Sequence, residues 1–123
     1  MTAVPGATAR LRVIGPRGQL VGTAEEARTA WSRMIGLLGR SSLPRGEGLL
    51  LAPAWSIHTW FMRFPIDVVF LDADGRVLRV FVGLPAWRLA SGTRKARTVL
   101  EFGAGTLAQS PLAPGDAVRL ERR

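Results

Sequence analysis

Three ionisable side chains in this sequence sit inside apolar runs and could carry chemistry: His58 in Ile57-His58-Thr59-Trp60, Asp67 in Ile66-Asp67-Val68, and Glu101 in Leu100-Glu101-Phe102. His58 is the only histidine, and a histidine can serve as general base, metal ligand or pH-sensitive hydrogen-bonding group. His58 with Asp67 is therefore the pair a hydrolase could use as base and orienting acid. The plainer reading makes His58 a core or rim side chain satisfied by a backbone carbonyl. Burying an unpaired carboxylate is costly. Asp67 is accordingly expected to pair with an arginine, Arg40, Arg63 and Arg88 being the candidates; otherwise it accepts several backbone N–H bonds or lies at a wet strand end. Pairing with arginine is the preferred expectation, and Glu101 poses the same question.

Stronger catalytic signals are missing. Cysteine is absent, which removes thiolate zinc sites and cysteine nucleophiles. Ser56, His58 and Asp67 could be drawn as a triad, yet neighbouring side chains on one strand diverge, and no G-x-S-x-G elbow is present. Gly103-Ala104-Gly105 permits a tight turn or a close backbone approach, but two glycines do not make a phosphate loop. No metal or cofactor is expected. The reading that remains is a small binding domain with a concave face near His58, Trp60, Met62, Arg63, Asp67, Arg88 and Glu101. There Arg63 and Arg88 would hold an anionic or polar ligand, Trp60 and Trp87 would give apolar contact, and Asp67 would position an arginine. A third class is a protein-interaction module, marked by an exposed apolar patch around Trp55 or Trp87.

The elements that must position these residues follow from periodicity. Arg10 to Ile14 and Gln19 to Gly22 flank Gly15-Pro16-Arg17-Gly18 and read as two short strands around a turn. Thr23-x-x-Glu26 has the form of a capping box. Behind it Ala27, Trp31, Met34, Ile35 and Leu38 recur at helical spacing and predict one principal helix ending near Gly39. From Gly48 the period becomes two, with strands expected at 48–52, 57–63, 66–71, 76–82, 98–102 and 117–121. In the second of these, His58, Trp60, Met62 and Phe64 would share one side. In the third, Asp67, Val69 and Leu71 would oppose Ile66, Val68 and Phe70. Asp72-Ala73-Asp74-Gly75 signals a hairpin, and 83–97 reads as a long loop. The fold class expected is α+β: a mainly antiparallel β-sheet or partly open barrel with one principal helix.

With 123 residues the chain fits one domain, with Met1 to Ala9 as a flexible start. Its 47% hydrophobic and 21% charged residues are those of a soluble globular protein. The formal charge is +8, which would ordinarily suggest nucleic acid. However, Lys95 is the only lysine and Tyr is absent, a bias that a G/C-rich genome produces without selection for binding. The arginines are also spread along the chain, which argues against nucleic acid as a partner. Neither a secretory signal nor an apolar run approaching the roughly 18 residues of a membrane span is present, and a cytoplasmic location follows by default. Oligomeric state cannot be read from these residues.

Several segments together resemble the bacterial and archaeal family known as domain of unknown function 192, over about Thr29 to Leu120. They are Gly36-Leu37-Leu38-Gly39-Arg40, Gly46-Glu47-Gly48-Leu49-Leu50, the run from Ile57 to Asp72, Val99-Leu100-Glu101-Phe102-Gly103-Ala104-Gly105, and Gly115-Asp116. The resemblance implies a compact, mainly antiparallel β domain with helical decoration, and no assigned reaction. Many members have Trp-Met-Lys-Asn where this chain has Phe61-Met62-Arg63-Phe64, and many carry an export signal.

Overall fold

The structure is a computed structural model and describes residues 7–27, 42–59 and 62–122. Its frame is an open seven-stranded sheet of β1 (Ala7–Ile14), β2 (Leu20–Ala27), β3 (Glu47–Leu51), β5 (Ile66–Leu71), β6 (Val77–Leu84), β8 (Thr98–Gly103) and β9 (Arg119–Arg122). The strand order is β6-β5-β8-β3-β2-β1-β9. A separate two-stranded ribbon pairs β4 (Ser56–His58) with β7 (Leu89–Ser91). One short helix, α1 (Thr106–Gln109), follows β8. All pairs in the large sheet are antiparallel except β2–β3, and a parallel pair requires a crossover between its strands.

The centre of the sheet explains the sequence pattern. Every residue of β5 is buried, as expected of a strand covered on both faces, and the alternation expected along it is observed. Val69 and Leu71 enter one core with Leu50, Leu100, Phe102 and Leu107 of α1. Ile66, Val68 and Phe70 enter a second core, on the other face, with Leu49, Val99, Met62, Phe64 and the ribbon residues Ile57 and Ala90. The first face is thus closed by α1 and the segment leading to Val118, and the second by the ribbon and residues 62–64. An edge-to-face contact between Phe70 and Phe81 (centroids 5.9 Å apart), and the Arg79 guanidinium 4.8 Å above the Phe81 ring, extend the second layer to the β6 edge. From there Arg79 Nη1 donates to the Ser91 carbonyl at 2.8 Å and ties the ribbon down.

Several expectations need correction. Of the sheet and the partly open barrel expected, the mainly antiparallel sheet is the one found, and it is not closed. Thr23 and Glu26 do not cap a helix: both lie in β2, where Thr23 faces Glu47 and Glu26 faces Leu50, because pairing with strands distant in sequence overrides a local capping pattern. Of the helix expected behind them, Ala27 ends β2, and the remainder as far as Gly39 lies outside the described residues. Among the described residues the only helix is the four-residue α1, so one principal helix is not observed there. The strand expected over 57–63 ends at His58, and the expected 83–97 loop contains β7.

The Asp72 hairpin does form, and it carries a pH dependence. The Asp72 carboxylate accepts the Arg76 N–H (3.0 Å) and the Asp74 N–H (2.8 Å). Its pKa is lowered, chiefly by the Arg76 N–H; slight burial opposes this, and the Asp74 N–H and Arg76 charge reinforce it. A carboxylate depressed in the folded state contributes stability that is complete above the ordinary carboxylate range and fades as pH falls through the depressed value. Acid unfolding of Asp72→Asn, followed by circular dichroism, should therefore show a shallower loss of stability on that limb than the parent. An unchanged limb would mean that the turn bonds persist when Asp72 is protonated.

Candidate functional site

The residues expected to share one concave face are divided between the two sides of the sheet. Asp67 pairs in register with Phe102, and Val68 with Glu101. Asp67 therefore lies on the α1 face and Glu101 on the ribbon face, both fully buried. Since Ile57 of β4 packs into the second core, His58 also belongs to the ribbon side. The His58–Asp67 pair of the hydrolase reading is not assembled, and Asp67 and Glu101 are likewise on opposite faces.

Among the described residues, backbone N–H groups and no arginine brace Asp67. Its Oδ1 accepts the Gly83 N–H at 2.8 Å and its Oδ2 the Leu107 N–H at 2.9 Å. The register of β5–β6 slips between Ile66 and Val68, a bulge that places Gly83 at φ 65°, a conformation glycine adopts without penalty. The bulge frees the Gly83 N–H, and the carboxylate takes it. The other oxygen satisfies an N–H in the first turn of α1, where the helix has no partner of its own. Of the arginines considered, Arg63 and Arg88 are exposed and make no salt bridge among the described residues, while Arg40 lies outside them. Among the described residues the backbone alternative is thus the one observed. An inward carboxylate on an apolar strand specifies that partners exist, and nothing in its neighbours says whether these are guanidinium or backbone.

On the ribbon side the organising residue is Thr59, which the sequence did not single out. Thr59 Oγ1 donates to the Pro85 carbonyl (2.6 Å) and accepts the Arg88 N–H (2.9 Å). The Thr59 N–H donates to the Arg88 carbonyl (2.8 Å), and the Thr59 carbonyl accepts the Trp87 N–H (3.0 Å) and the Met62 N–H (3.3 Å). Its only sequence signal is a hydroxyl in an apolar run, because its partners are contributed by the distant 85–88 segment. The bonds hold Trp87 at φ 62°, a left-handed conformation that bulky residues rarely adopt and that stores roughly 1–3 kcal/mol of strain.

Trp87 is nonetheless 58% exposed, Trp55 at the start of the ribbon 57%, and Leu89 72%. Leu89 faces His58 across the ribbon, on the side opposite Ile57 and Ala90. His58 is half-buried and Met62 is buried in the second core, while Trp60 lies outside the described residues. Along the segment that carries this surface, charge is one-sided. Between Gly75 and Glu101 the chain carries Arg76, Arg79, Arg88, Arg94, Lys95 and Arg97 and no acidic residue, and all six are exposed. None forms a salt bridge among the described residues. The salt bridges present there join Arg10 to Glu25 between β1 and β2, and Arg12 and Arg119 to Glu121 at the β9 edge. A shallow hollow of about 240 Å³ also lies at that edge, between Ile14–Gly18 and Ala117–Arg119, and includes none of the expected site residues. Among the described residues no group of three or more His, Cys, Asp or Glu could hold a metal ion, and no helix is long and apolar enough to cross a membrane.

Fold and surface together define a mainly β domain whose sheet is closed on one face by a small exposed ribbon. Residues 13–120 match the profile of DUF192, described as an uncharacterized ACR, and the chain belongs to this family. Two solved structures share the fold. One, from Sinorhizobium meliloti and described as a "putative transcription regulator", superposes with a TM-score of 0.77 at 22% identity, covering 94% of this chain and 95% of that one. The other, a protein of unknown function from Novosphingobium aromaticivorans, gives 0.73 at 22% identity over 97% and 98%. No protein of curated function matches the chain.

Proposed function

We propose that the protein is a small binding module that takes an anionic partner on the ribbon surface, with Arg63 and Arg88 contacting charge and Trp87 supplying apolar area. The observation that carries this reading is Trp87 itself: an exposed indole on left-handed backbone, pinned by Thr59 beside Arg88, within a stretch that carries six cations and no anion. An exposed apolar group held in a strained conformation by its neighbours is already ordered for a contact. The exposed Trp55 and Leu89 give the same surface the character of an interaction module. Asp67 has no part in it, since its carboxylate faces the other core.

The test is binding of polyglutamate and of pyrophosphate, followed by tryptophan fluorescence, with variants at the surface and away from it. Trp87→Gly and Arg88→Ala should each weaken the interaction about tenfold, as expected where a few Trp and Arg side chains dominate an interface. Trp87→Gly should leave the unfolding free energy within about 1 kcal/mol of the parent, because glycine relieves the strain it removes. Arg10→Ala, on the salt-bridged strand β1, should change nothing. Failure of every anion to bind, or equal losses from Arg10→Ala, would sink the reading.

A further inference from the structure

We propose that the occupant of the ribbon surface is an acidic peptide segment carrying its own apolar side chains, an inference that rests on the anionic-partner reading and narrows it to one chemistry. Charge sets the first requirement. The cations from Arg79 to Arg97 form no salt bridge among the described residues, whereas Arg10, Arg12 and Arg119 are matched on β1, β2 and β9. A second copy of the chain docking through the same surface would bring those cations against themselves, so like charge disfavours a symmetric pair.

Apolar exposure sets the second. Besides the two indoles, the aliphatic side chain of Leu89 (72% exposed) stands in solvent on β7. Phosphates and sugars gain nothing from aliphatic groups, and bases prefer aromatic faces; a peptide with apolar side chains among its carboxylates buries both kinds of surface at once. The third consideration is order. Thr59 holds Pro85, Trp87 and Arg88 through four hydrogen bonds, so little freedom of the receiving surface is lost on contact, which favours a small, rigid anchor for a mobile segment.

The experiment uses the full chain and three fluorescein-labelled probes of equal charge: a peptide of Glu-Glu-Leu repeats, polyglutamate, and single-stranded oligothymidylate, compared by anisotropy. The Glu-Glu-Leu peptide should bind about tenfold more tightly than either of the others, a difference of roughly 1.4 kcal/mol. Leu89→Ser should remove most of the difference between the two peptides and keep the thermal midpoint, because Leu89 supports no core. Equal affinity for the two peptides, or tighter binding of oligothymidylate, overturns the acidic-peptide assignment while leaving the anionic-partner reading in place. If none of the three probes binds, both fall.

Discussion

Replacing Asp67 with alanine should lower the unfolding free energy by about 3 to 4 kcal/mol, since hydrogen bonds to a charged group contribute roughly 1.5–3 kcal/mol each and a donor left unpaired in the interior loses its full solvation. The two donors are not equivalent. The Leu107 N–H is buried with its acceptor, so its loss is uncompensated, whereas the Gly83 N–H lies on the partly exposed β6 edge, where water can replace the carboxylate. Asp67→Asn keeps a single acceptor oxygen and turns an NH2 group toward the remaining donor; it should fall between the parent and alanine. Urea titration of the three proteins measures this order. A loss below about 1 kcal/mol for alanine would show that water enters and that the strut between the bulge and α1 is dispensable. The same variants separate bracing from binding. Polyanion affinity, measured where each variant is folded, should not follow the stability series, because the ribbon lies across the sheet from Asp67.

How far the sequence reached depends on the range of the interaction involved. The two faces of β5 were legible residue by residue, because alternation within one strand is local and every position of Ile66–Leu71 obeys it. The Asp72 turn was legible for the same reason. Thr23 to Glu26 misled, since four residues can satisfy a helix cap while strands far along the chain claim the backbone. Asp67 parts from His58 and Glu101 on parity: all three interrupt apolar runs, but which face each takes depends on register between strands, which a single sequence does not display. Thr59 and Trp87 could not be found as a pair, since their bond joins segments brought together only by the ribbon. Exposure at Trp55 and Trp87, named as the mark of an interaction surface, is present.

Gly48→Ala should destabilise by about 3 kcal/mol, at the upper end of what one added methyl group causes in a packed interior. A Cβ on Gly48 would meet the Glu101 carbonyl oxygen and lie 2.8 Å from Cδ1 of Phe102. The ring could turn, but the carbonyl belongs to β8, held between β3 and β5, so relief requires β8 to move against β3 and part of their ladder to open. Gly48→Ala combined with Phe102→Leu distinguishes the two clashes. Because the smaller side chain clears only the ring, the double variant should remain at least as unstable as Gly48→Ala; recovery would place the whole clash at Phe102. The result bears on function. Gly48 faces Phe102 directly, so the Gly46-Glu47-Gly48 and Leu100-Glu101-Phe102 segments form one packing unit, as Asp67, Gly83 and Leu107 form another. Residues that the frame needs to close therefore account for much of what marks this chain as a member of its family. Trp87 and Leu89 lie outside these two packing units, with most of their surface in solvent.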